Sequence, residues 1–116
     1  MEDILTAKQP RFPEIRPEQM TDAQKRVYHE IVSSRGSVRG PFGPLLRSPD
    51  LADRWQRLGG YVRFETSLPA RLNEFAIIIT ARFWEAKYEW YAHKPLAIKG
   101  GLAEAITEDL ARNTWT

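Results

Sequence analysis

Three side chains in this sequence stand out by type and spacing: Glu74, Glu89 and His93. An imidazole ordinarily titrates near neutrality, so it can accept and return a proton under the same conditions. Glu89 and His93 stand four residues apart, which puts them on one face of a helix with Cβ atoms roughly 5–6 Å apart. Glu74 lies in line with Ile78 and Ala81 at helical spacing, so its carboxylate leans on an apolar surface, where burial raises a carboxyl's affinity for protons. Two acids and one imidazole are thus gathered around the expected core. Two plain readings are open. A Glu/His pair four apart on an exposed helix is commonly a surface pair worth a few tenths of a kcal/mol. The same pair could ligate a metal, but only if Glu74 swung in as a third ligand; no metal and no cofactor is assigned.

The elements that must position these residues follow from pattern and punctuation. Phe75 to Ala81 is apolar except for Thr80, whose hydroxyl can bond back one turn, so the run predicts a buried helix launched by Ser67-Leu68-Pro69. The pattern resets after Trp84, and Ala86 to Lys94 reads as a second helix that ends or kinks at Pro95, which has no N–H to give. Upstream, Thr21-Asp22-Ala23-Gln24 fits a capping box and opens a helix with Val27, Tyr28, Ile31 and Val32 on one face. Arg35 to Arg47, rich in glycine and proline, reads as a long loop whose three arginines could meet an anion or simply solvent. Ser48-Pro49 starts another helix, with Leu51, Trp55, Leu58 and Val62 as its apolar face. Gly100-Gly101 is a helix stop, followed by a short helix over 103–111. Residues 1–19, with Pro10, Pro13 and Pro17, read as an extended arm ahead of a helical domain over 20–116. The expected fold is all-α, with five helices and one long loop. Trp55 and Trp84 are expected in the core, and Trp90 in the core or a subunit interface.

Composition removes several function classes. The chain has 116 residues, room for one domain with a modest core. Its net charge of +2 is too small to argue for a nucleic-acid surface. With no cysteine, disulfides, thiolate metal sites and thiol redox chemistry are excluded within this chain. Neither a secretory leader nor a membrane-length apolar run is present in the sequence, so a cytoplasmic protein is expected, without nucleic-acid or membrane partners.

The run Pro69-Ala70-Arg71-Leu72-Asn73-Glu74, then an apolar helix, then Tyr88-Glu89-Trp90 and His93, resembles the carboxymuconolactone decarboxylase family, which includes the alkylhydroperoxidase D-like proteins. The resemblance covers roughly residues 21–110 and rests on spacing: an acid, twelve residues to Ala86, three to Glu89, four to His93. In the peroxidase branch the two middle positions are a Cys-x-x-Cys pair; here they are Ala86 and Glu89. The Tyr-Glu-Trp run is similar to the decarboxylase branch instead, although the His that branch often carries before the last one is Ala92 here.

What the resemblance implies is an alkylhydroperoxidase D-like helical domain and a cofactor-free lyase or isomerase acting on a small lactone or carboxylic acid. In that chemistry a lactone acid loses carbon dioxide and His93 returns a proton to the dienolate. Glu89 orients the imidazole, and Glu74 relays protons. Without sulfur the thiol–disulfide cycle of the peroxidase branch cannot run. A family member lacking the redox cysteines, and a non-catalytic oligomeric binding protein of the same fold, are the alternatives. Family members assemble as trimers or hexamers, and the aromatic run Trp84–Tyr91 suits a homotrimer or homohexamer interface. Relatives of this version often continue with a further helical segment, which leaves open that the chain is a fragment.

Overall fold

A computed structural model describes residues 10–112, and within them the chain is all-α, with no strand. Six helices follow in order: α1 (Asp22–Arg35), α2 (Phe42–Leu45), α3 (Pro49–Gly60), α4 (Ala70–Phe83), α5 (Lys87–Lys99) and α6 (Glu104–Arg112). The expected arm lies partly outside the described residues. Its described part is irregular up to Arg16 and ends in the 3-10 turn Pro17–Gln19. The chain end at 113–116 lies outside them as well. The chain divides into two compact units between Leu58 and Gly59, each with its own buried cluster.

The first unit is built on α1. Thr21 and Gln24 form the expected capping box, with Gln24 N–H donating to Thr21 Oγ1 at 3.2 Å and Thr21 N–H to Gln24 Oε1 at 2.9 Å. Val27 and Ile31 are fully buried and pack with Met20, Leu46 and Ala52. The segment read as a loop holds the short helix α2, and two of its arginines are engaged by protein groups. Arg35 donates to the Gln56 carbonyl and covers the Phe42 ring, while Arg47 donates to the Pro13 carbonyl.

The apolar face expected for α3 is not the one it buries. Leu51, Trp55 and Leu58 are exposed, Trp55 at 46%, while Ala52 and Gln56 are buried. The reason is the seam on that other side. Small Ala52 joins the buried cluster, and Gln56 Nε2 donates to Glu30 Oε2 at 3.0 Å. Arg57 bridges Asp53 and Glu30 beside it, and Arg26 adds a looser contact to Asp53 at 3.6 Å. Matched charges and one amide thus take the place that periodicity assigned to leucine and tryptophan.

In the second unit, residues Tyr61–Glu65 form one π-helical turn, and α4 and α5 then make a tight helical hairpin. Trp84 to Ala86 reverse the chain, with Glu85 in the left-handed region at φ 52°. At the open end of the hairpin the backbones nearly touch. A Cβ on Gly100 would stand 3.1 Å from the Arg71 nitrogen and 3.2 Å from the Ala70 carbonyl carbon, so only glycine fits without backbone movement. The buried cluster comprises Ile78, Ala97, Leu102 and Leu110, with Phe75, Ile79 and Trp90 packed against it.

Three expectations change here. α4 is not buried all round: Ile78 and Ala81 are buried, whereas Ala76 and Thr80 are exposed. Trp84 is 73% exposed, because it caps the C-terminus of α4 at the chain reversal rather than standing on the inward face. α5 does not end at Pro95 but runs through it to Lys99. Pro95 and Tyr91, whose carbonyl loses its helical partner, both lie on the exposed side, where water can solvate that oxygen.

Candidate active site

The site is assembled wholly within the second unit by the π-helical turn, α4 and α5. Two consecutive residues of α4 tie the turn down. Asn73 Nδ2 donates to the Val62 carbonyl at 2.6 Å, and the Thr66 hydroxyl reaches the same oxygen at 3.4 Å. Glu74 then receives Arg63, whose Nη2 donates to Oε1 at 3.1 Å. Its other oxygen, Oε2, lies 2.6 Å from His93 Nδ1 on α5. The second ring nitrogen, Nε2, faces Glu89 Oε2 at 3.4 Å. The three residues singled out from spacing are therefore together, with His93 between two carboxylates.

Their division of labour differs from the expected one. Glu74, not Glu89, makes the close bond to the imidazole, because the α4–α5 hairpin sets position 74 directly across from position 93. Glu89 is the outer group, with its side chain 39% exposed against 10% for Glu74. Burial pushes the Glu74 carboxyl upward, but the hydrogen bond from His93 and the charges of His93 and Arg63 outweigh it and hold the pKa below its ordinary 4.5. Glu74 is thus a fixed anion rather than a carboxyl with raised proton affinity. A carboxylate can only accept, so Nδ1 must carry the proton of that 2.6 Å bond. This leaves Nε2 as the nitrogen turned toward Glu89.

Arg63 is the residue that spacing did not reveal. The only sequence signal is a basic residue near the end of the segment preceding Ser67-Leu68-Pro69, where the chain turns back onto the helix carrying Glu74. Its guanidinium also covers the Phe64 ring, and its buried Nε has no hydrogen-bond partner. Among the described residues no group of three His, Asp or Glu side chains is placed to hold a metal ion.

An open groove of about 470 Å³ lies beside these residues, lined by Val62, Leu68, Ala76, Ile77, Trp84 and Ala86 together with Glu89.

The pairing has a pH signature. A folded-state pKa below the unfolded one contributes stability that is present above the unfolded value and disappears as pH falls through the folded one. The Glu74 contribution is therefore complete above about pH 4.5 and is lost on further acidification, as Arg63 and His93 lose their anion. Thermal scans from neutrality to acid should show the wild type losing melting temperature more steeply below this point than Glu74→Gln. Parallel curves would show that the carboxylate is not coupled to folding.

Comparisons with known proteins add no family. No family model matches the chain, and it matches neither a curated protein nor a solved structure. No helix among the described residues is long and apolar enough to cross a membrane.

Proposed function

We propose that the chain is a cytoplasmic, cofactor-free acid/base enzyme of the alkylhydroperoxidase D-like fold, a lyase or isomerase acting on a small lactone or carboxylic acid. The observation that carries this reading is the geometry of His93. One nitrogen is locked by the ionised Glu74, and the other meets Glu89, which lines an apolar groove. Fixing the tautomer through Nδ1 makes Nε2 the working nitrogen, the division of roles that a histidine proton shuttle needs. The His93 hydrogen bond and the charges of His93 and Arg63 keep Glu74 ionised, so the imidazole has an anion behind it. Glu89 and Nε2 then pass a proton to or from a carbon of the substrate in the groove.

The test is proton exchange at carbon. Five-membered unsaturated lactones, with and without a carboxyl group, are incubated with the protein in D2O and followed by NMR. Deuterium incorporation or carbon dioxide release above the buffer rate supports the reading. Rates equal to buffer across the panel overturn it. A peroxidase-family member lacking its cysteines is the reading that leaves only the fold, since no thiol cycle can run in this chain.

The non-catalytic oligomeric binding protein has its own observation in favour. Phe83 and Tyr91 are 76% and 78% exposed. Aromatic side chains left this open favour burial against another copy. Assembly into a homotrimer or homohexamer is expected under both readings. Light scattering at micromolar concentration should give one of those masses, and a monomer would overturn the assembly.

A further inference from the structure

The groove beside Glu89 carries information on charge. Its walls are aliphatic and aromatic, and no lysine or arginine lines it. Three of its four polar side chains are already bound to backbone carbonyls: Asn73 and Thr66 to Val62, and Thr80 to Ala76 at 2.9 Å. Glu89 is the fourth, and its carboxylate stays half-open among the lining residues, 3.4 Å from His93 Nε2. A carboxylate ligand entering here would give up water, find no cation among the lining residues, and meet a like charge. A neutral molecule would lose little on the apolar walls and could offer a hydrogen to Glu89. The volume of about 470 Å³ lies in the range of small-molecule sites and accommodates one or two fused rings.

We infer that the ligand of this groove is an uncharged, largely apolar ring compound that presents a single hydrogen-bond or carbon-acid donor to Glu89. The inference rests on the acid/base reading above and narrows it. A substrate without a carboxyl group has no carbon dioxide to lose, so the reaction becomes a proton transfer within one molecule. A C–H proton passes to Glu89 while its electron pair enters the conjugated enolate. The same proton then returns to another carbon of that enolate, and nothing is gained or lost overall.

The experiment compares 2-naphthylmethanol with 2-naphthoate, which share a ring system and differ in charge, on the full chain near neutral pH. Binding is read from the methyl NMR signals of Ile77 and Ala86. The alcohol should bind about tenfold or more tightly than the carboxylate, the effect of one like charge at close range near a protein surface. In Glu89→Gln that ratio should fall toward one, chiefly because naphthoate gains affinity. Equal or tighter binding of naphthoate by the wild type would overturn the inference, and so would a preference that survives Glu89→Gln. If neither probe moves these signals, including because a second copy of the chain covers the groove, the inference also fails. Binding is measured here without turnover. A silent exchange assay therefore counts against the enzyme reading alone, and a naphthoate preference counts against the uncharged ligand alone.

Discussion

Replacing His93 by glutamine is expected to lower the rate of substrate proton exchange by about 10²–10⁴-fold, the range typical for losing a positioned general acid or base. Glutamine can still hydrogen-bond to Glu74, so the hairpin has a polar partner at position 93 and the fold should persist. What it cannot do is take up a proton at the atom facing Glu89. The measurement is the deuterium-incorporation rate of wild type and His93→Gln on the same lactone, with helix content checked by circular dichroism. A variant that exchanges at the wild-type rate would remove His93 from the chemistry and favour the non-catalytic reading.

The second large effect concerns stability. Glu74 is buried between Arg63 and His93, and its removal leaves a guanidinium and an imidazole facing each other without an anion. Breaking a buried pair by deleting one partner costs roughly 3–5 kcal/mol. Glu74→Ala should fall near the lower end, about 3 kcal/mol, because Arg63 is 23% exposed and can recover some hydration. Urea unfolding gives the value directly. Taking both charges out in Arg63→Met with Glu74→Leu should restore part of the loss, since the unpaired cation is then gone. Should the double variant be less stable than Glu74→Ala alone, the cost arises from packing at position 74, and the ion pair would not be its source.

Both expectations depend on Glu74 and His93 meeting across the hairpin, and their legibility in the sequence was uneven. The pairing of Glu89 with His93 could be read from spacing, because four residues on a helix place them on one face whatever the rest of the chain does. The ranking of the two carboxylates could not. Which carboxylate takes Nδ1 depends on the register of α4 against α5, and that register is set by the reversal at Trp84–Ala86 and by the backbone approach of Gly100 to Ala70 and Arg71. Arg63 was invisible for the same reason: its partner stands eleven residues away, beyond a proline-bounded turn.

Within single helices the local chemistry decided the outcome. The Thr21–Gln24 box, Pro49 at the start of α3 and the Gly100-Gly101 stop each act through groups within one turn, so their effects could be read directly from the chain. An all-α fold follows from such signals alone. Burial was decided only by the tertiary structure. The leucine and tryptophan stripe of α3 met the rule for an inward face, yet Ala52 and Gln56 turned inward, because Glu30 and Arg26 of α1 offered Gln56, Asp53 and Arg57 a matched polar seam. Periodicity states that a helix has two faces, and it carries no information on what each will meet. The Glu74 carboxyl makes the same point electrostatically: burial alone pushes it upward, and only the arrival of Arg63 and His93 from other parts of the chain reverses the sign.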